Sequence, residues 1–435
     1  MNSASGTDTL LIFTAIFSAC LLLFLQAGFA LSEAGLSRAK NAANIMLRGF
    51  ANIGIGGLLF WAAGFGLLFG ASNGVTGWSH FALSPSGAGA SREYALWLQQ
   101  TMCAITAGSI VFGATAERMR FGAAVLLSAA MSLIIYPVVG HWIWGNLLVA
   151  ANASSSSWLA GRGVIDFAGS AVIHCTGGFA ALAAAMAVGP RLGKFGKDGT
   201  ARPIAGHNLT LASLGVMMAF FGWFGFTSAT ALLTPGVSAG RVAMNVLLAG
   251  FAGSAASLLV NWLRFGKPDV SMSLNGALAG LVAISASCAL APPAFAVAIG
   301  AAAGALVVFS VLSLDEVRVD DPVGAISIHG VCGAFGTVVA AGFHKAPFEQ
   351  FATQMMGVAA IFAWSFGFTF VLLKGFDMLV TARVSAEDEI TGLDLAEHGA
   401  QAYGDGLGAT SLDAPSTLRN RRSQTRADPT LSPVT

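Results

Sequence analysis

Apolar runs long enough to cross the roughly 30 Å hydrocarbon layer of a bilayer recur along almost the whole chain, which excludes an ordinary water-soluble globule. Eleven such runs are placed, at 10–29, 49–69, 96–114, 121–140, 167–188, 209–229, 242–262, 274–290, 295–314, 325–342 and 357–380. The sequence is 55% hydrophobic and only 10% charged, where a soluble domain usually carries about 25% charged residues. Many of its 54 glycines sit inside the apolar runs, as suits helices that pack backbone to backbone in lipid. The predicted fold is all-α, a polytopic membrane protein of about eleven transmembrane helices spanning residues 1–382. An acidic stretch then opens a cytoplasmic segment at 383–410, and a Gly/Ser/Thr/Pro-rich tail at 411–435 reads as disordered. The start, MNSASGTDTL, has no basic residues before the first run, so that run is expected to be a retained span rather than a signal peptide.

Positive charge orients the bundle. Loops after the odd-numbered spans carry twelve Lys and Arg, among them Arg38, Arg48, Arg118 and Arg191, whereas the alternate loops carry four, Arg92, Arg162, Arg241 and Lys345. The odd loops are therefore expected in the cytoplasm of a cell with this protein in its plasma or inner membrane, with the N-terminus outside and the C-terminus inside. A formal net charge of +1 gives no reason to expect a nucleic-acid partner. The five cysteines, Cys20, Cys103, Cys175, Cys288 and Cys332, show no CxxC spacing and read as small core residues rather than disulfides or metal ligands.

Ionisable residues inside a membrane mark functional candidates, because charge there costs several kcal/mol. Two segments hold most of them: DFAGSAVIHCTGG from Asp166 and DPVGAISIHGVCG from Asp321. Aligned on the aspartate, both have Gly at +3 (Gly169, Gly324), Ile at +7 (Ile173, Ile328), His at +8 (His174, His329) and Gly at +12 (Gly178, Gly333). Five spans separate the copies, so they enter the membrane from opposite sides, as in transporters built from inverted repeats (here spans 1–5 and 6–10) with the site at the interface of the halves. The aspartates belong at helix entries, where a carboxylate satisfies exposed N–H groups. The histidines lie deeper, near the pseudo-twofold axis. A facing pair of neutral imidazoles offers polar edges without a fixed charge, which suits a small uncharged molecule or a proton relay better than a metal ion. No carboxylate is expected beside them at the midplane, and no metal, cofactor or enzymatic chemistry is expected.

These segments closely resemble the ammonium transporter family (Amt/Mep/Rh). The resemblance runs over roughly residues 8–404, through LQAGFALSEAGLSRAKNAANI, GATAERMRF, DFAGSAVIH, HNLTLASLGVMMAFFGWFGF, GKPDVSMSLNGALAGLVAIS, VDDPVGAISIHGVCG and GLDLAEHGAQAY. It implies a homotrimer with one pore per subunit, His174 and His329 as twin pore histidines, and conduction of ammonium or ammonia. It further implies that Trp144 lines an external recruitment site supported by Asp166, and that Phe226 is one of two stacked gate phenylalanines. The chain departs from the family where the second gate ring falls at Met102 or Cys103, depending on alignment, and where the usual serine of the recruitment site becomes Thr230. Gly392, Asp394 and Tyr403 match the family's cytoplasmic segment, which implies regulation through that segment and, in some members, a PII signalling protein as partner. The alternatives are an ammonium sensor of the same fold with little net transport, and a carbon dioxide channel.

Overall fold

A computed structural model describes residues 3–87, 90–148, 157–232, 234 and 236–404. Within these residues the regular structure is helical, and strand pairing is limited to isolated bridges. The spanning helices are α1 (Ser3–Leu36), α2 (Ala39–Phe69), α3 (Ala90–Ala114), α4 (Phe121–Leu147), α5 (Ser170–Val188), α6 (Leu209–Leu232), α7 (Ala239–Phe265), α8 (Val270–Ile284), α9 (Pro293–Glu316), α10 (Ile326–Phe343) and α11 (Pro347–Asp377). Ten of these are long and apolar enough to cross a bilayer by themselves, and α8, with 15 residues, is shorter. Two short helices follow, α12 (Ala386–Thr391) and α13 (Leu393–His398). The expected disordered tail, 411–435, lies outside the described residues.

Several helices extend past the apolar runs that announced them. The first run stops at residue 29 and the second starts at 49 because Ser32, Glu33, Arg38, Lys40 and Arg48 intervene. In the structure α1 continues to Leu36 and α2 begins at Ala39. Arg48, expected in a loop, lies within α2 and is 1% exposed, its guanidinium bonded to the Met119 carbonyl. Polar residues can stay helical at this depth when they face protein rather than lipid. Cys20 corrects another expectation: it is exposed on α1, while the other four cysteines are buried and free.

The two five-helix halves of the inverted repeat meet along α1 and α6, the first helix of each. A Cβ added at Gly28 would overlap the Ala219 backbone, and one at Gly215 would overlap that of Ser32. A close crossing joins α5 to α10. There Gly178 lies directly on the Gly330 backbone, leaving no room for a side chain. Small residues are what allow two backbones this close.

At one end of the bundle the loops after α1, α3, α5 and α9 converge on a buried ion cluster. Glu117 pairs with Arg38 and, at 2.7 Å, with Arg191, which pairs with Asp320 at 2.9 Å. Arg118, fully buried, donates to the carbonyls of Ala114, Ala116, Gly189 and Asp320 at 2.7–3.0 Å. Glu117 holds φ at 73°, unusual without glycine, and its carboxylate also accepts from Asn41 at 3.1 Å. Burial pushes the Asp320 carboxyl up, but the hydrogen bonds from Arg191 and the charges of Arg118 and Arg191 outweigh it and hold the carboxyl at about 2, against an ordinary 3.8.

Because its folded value lies below the unfolded one, Asp320 contributes stability in full above about pH 4, and that stability is lost as the pH falls through its folded value. Asp320→Asn leaves two buried guanidiniums undercompensated and is expected to cost about 3–5 kcal/mol. The measurement is the thermal unfolding midpoint in detergent at pH 7. An unchanged midpoint refutes a structural role for the cluster.

Candidate functional site

Each repeat segment builds the same helix entry. Asp166 accepts from the backbone N–H of Gly169 at 3.0 Å, Ala171 at 3.0 Å and Val172 at 2.8 Å. Asp321 accepts from Ala325 at 2.9 Å and Ile326 at 2.8 Å. Three residues after each aspartate the chain must turn into the helix with positive φ, 99° at Gly169 and 81° at Gly324, a conformation in which a Cβ is strained. Burial pushes both carboxyls up to about 6 against the opposing pull of those N–H groups. Each entry continues as a wide π-helical turn, Ser170–Cys175 and Ile326–Val331, that carries the histidine. Such turns recur at functional sites.

The two turns bring His174 and His329 together, as the repeat requires. Their Nδ1 atoms are 3.1 Å apart, the ring centroids 5.1 Å apart and the planes 25° from parallel. Trp223 stacks on His174 at 4.6 Å and 18°, its Nε1 donating to Ser285 at 3.2 Å. Phe29 meets His329 edge-on at 5.7 Å. The Nδ1 contact holds one proton, so one ring donates and the other accepts. Neither Nε2 has a partner among the described residues. With both rings neutral, the pair therefore presents one acceptor Nε2 and one donor Nε2.

At the Asp166 end, Trp144 is 8% exposed and donates through Nε1 to the Asp166 carbonyl at 2.8 Å, so these two candidates are joined. Thr230 and Phe226 form a second group on α6. The Thr230 hydroxyl donates to the Phe226 carbonyl at 3.0 Å and accepts from Gln99 at 2.8 Å. No hydrogen bond or ring contact links the two groups among the described residues. Cys103 is fully buried against Tyr136, while Met102 is half-buried and packs on the core. Of the two, Met102 is the side chain with an open side. Among the described residues no three His, Cys, Asp or Glu side chains gather as a metal site would.

The C-terminal candidates all touch the bundle. Asp394 accepts from the N–H of Ala43 at 3.1 Å and Asn44 at 2.8 Å, capping the first turn of α2. Glu397 accepts from Phe121 N at 2.5 Å and does the same for α4. Gly392, with φ 104°, lies against the Lys40 backbone, where a Cβ would collide. The Tyr403 hydroxyl bonds His207 at 2.7 Å. Trp223, Phe29, Gln99 and Glu397 were not singled out from the sequence. Trp223 belongs to the GWFGF stretch, but nothing in its spacing pointed to His174.

The pattern that defines the Ammonium Transporter Family matches residues 12–403. The ammonium transporter Amt2 of Archaeoglobus fulgidus is 40% identical over 411 residues, covering 89% of this chain and 87% of that protein. Among solved structures, one titled Sensor Amt Protein superposes with a TM-score of 0.85 at 35% identity, covering 90% of this chain and 98% of that one. Mep2 of Candida albicans superposes at 0.77 with 26% identity, covering 94% and 92%.

Asp394→Ala removes a cap worth about 1 kcal/mol, which should raise the undocked fraction of the segment about fivefold. Limited trypsin digestion in detergent, following cleavage at Arg383, should speed up by that factor. An unchanged rate would mean that the remaining contacts hold the segment without Asp394.

Proposed function

The chain belongs to the ammonium transporter family, and from that premise we propose that it conducts ammonium or ammonia through a pore at the His174–His329 pair. The observation that carries this reading is the Nδ1–Nδ1 contact of 3.1 Å between two rings contributed by opposite halves. Its free donor and acceptor match ammonia, which has a lone pair and N–H bonds. The surrounding Phe29 and Trp223 exclude hydrated ions. Trp144 attracts the cation at the outer mouth through its ring face, worth about 0.5–2 kcal/mol, and Phe226 forms one ring of the gate beyond it. Deprotonation there, supported by Asp166, lets neutral ammonia pass and refuses potassium, which has no proton to lose. Met102 fills the position of the second gate ring as a flexible apolar plug.

The basic loops and docked C-terminal segment face the cytoplasm, so the N-terminus is outside the plasma or inner membrane. The working unit is a homotrimer. The segment around Gly392, Asp394 and Tyr403 is regulatory, and it offers a face for a PII-type signalling partner.

A second reading, an ammonium sensor with little flux, draws on one feature. Thr230, the recruitment hydroxyl, already donates to Phe226 and accepts from Gln99, which favours holding the site closed. The likeness to a structure titled Sensor Amt Protein points the same way.

Ammonium-pulse currents on solid-supported membranes decide between the readings. Wild-type proteoliposomes should give a current above empty vesicles, and His174→Ala should lower it at least about tenfold. Ammonium binding without any current would favour the sensor.

A further inference from the structure

The small pocket below the imidazole pair contains a carboxyl that conduction as described does not use. Phe29, Ser32, Glu33 and Leu36 form one stripe of α1 and line the same pocket as His329. Phe29 touches His329, and Glu33 lies one turn further along, roughly 6 Å towards the ion cluster. Asn275 of α8 also lines this pocket. The cavity is about 30 Å³, enough for one or two molecules the size of water.

Glu33, half-buried, differs from the other acids at this end of the protein. Glu117, Asp320, Asp321, Glu389 and Asp394 each accept hydrogen bonds from a guanidinium or backbone N–H. Among the described residues the Glu33 carboxyl accepts none and has no ion pair. The Arg48 charge attracts it from α2, but that guanidinium is turned onto the Met119 carbonyl. The carboxyl lies beside Gly113 of α3, where an added Cβ would sit 3.4 Å from Glu33 Oε1 and collide with Val323. A bare carboxylate among apolar walls costs several kcal/mol. A carboxyl that carries a proton, or a carboxylate that holds a cation, does not incur that cost. Ser32 donates to the Phe29 carbonyl at 2.9 Å, which leaves its oxygen free to accept.

We propose that Glu33, with the Ser32 hydroxyl and the Asn275 amide oxygen, is an inner binding site where ammonia leaving the histidines is captured as ammonium. This deepens the conduction reading and rests on it. The ammonia lone pair takes the proton from the Glu33 carboxyl: an N–H bond forms, the O–H bond breaks, and ammonium stays paired with the carboxylate. Once the cation escapes, hydronium from cytoplasmic water returns the proton. The three acceptors match the N–H donors of ammonium.

Two measurements on the full-length protein test this, using ammonium chloride as ligand with wild type, Glu33→Gln, Glu33→Asp and His174→Ala. Infrared difference spectra in detergent should show wild type exchanging a protonated-carboxyl band for a carboxylate band on ammonium addition. Glu33→Gln should lack that exchange, while Glu33→Asp and His174→Ala should keep it. Ammonium-pulse currents of Glu33→Gln, at matched incorporation, should fall about tenfold, and Glu33→Asp should retain part of the current. A band exchange that persists in Glu33→Gln overturns the proposal, as does a Glu33→Gln current equal to wild type. If Glu33→Gln does not fold, the wild-type and Glu33→Asp spectra decide, and their silence overturns it. A wild-type current with no carboxyl response removes the inner site and leaves conduction standing. A carboxyl response without any current removes conduction and leaves the inner site.

Discussion

The hydrogen bonds from backbone N–H groups to Asp166 and Asp321 are the interactions on which the rest of this structure depends. Away from water, a helix that starts inside a protein leaves its first N–H groups unsatisfied unless a side chain reaches them. The two aspartates meet that need at equivalent places in the two halves, so α5 and α10 can begin below the surface. Beginning there puts residue +8 of each segment at the same depth. Gly178 then lets the two backbones meet at Gly330, and the imidazoles have no choice but to face each other. A polar pair is thus set in an apolar bundle without any fixed charge beside it at that depth.

The charged face solves a different problem with the same logic. Arg118 and Arg191 are buried as deeply as core residues, and each is surrounded by carbonyls or carboxylates from separate loops. Such a cluster contributes little net energy compared with apolar packing, because desolvation offsets most of the attraction. What it contributes is registry: four loops distant in sequence must all be in place before any one guanidinium is satisfied. Glu117 holds its left-handed backbone only because Arg38, Asn41 and Arg191 converge on it.

The helical class, the number of spans, the inverted repeat and the meeting of His174 with His329 were all legible in the sequence, because each rests on periodicity or on a matched spacing. Helix ends were less legible. Composition sees Glu33 and Arg48 as breaks, yet their neighbours in space make them tolerable within helices. The Trp144–Asp166 contact, the engagement of Thr230 by Gln99 and the stacking of Trp223 depend on three-dimensional neighbours that no local pattern encodes. That Cys103 is fully buried while Met102 is only partly so depends on the direction of each side chain, which one-residue shifts in alignment cannot supply. The Glu33 carboxyl, on the extension of α1, was hidden for the same reason as the extension itself.

The caps on α2 and α4 have a consequence for biogenesis. Asp394 and Glu397 lie 351 and 276 residues after the N–H groups they satisfy. A nascent chain therefore inserts both helices with frayed starts that no residue yet synthesised can close. Only synthesis of α13 brings these two carboxylates to them, so maturation of the earliest part of the bundle waits on a segment made late in translation.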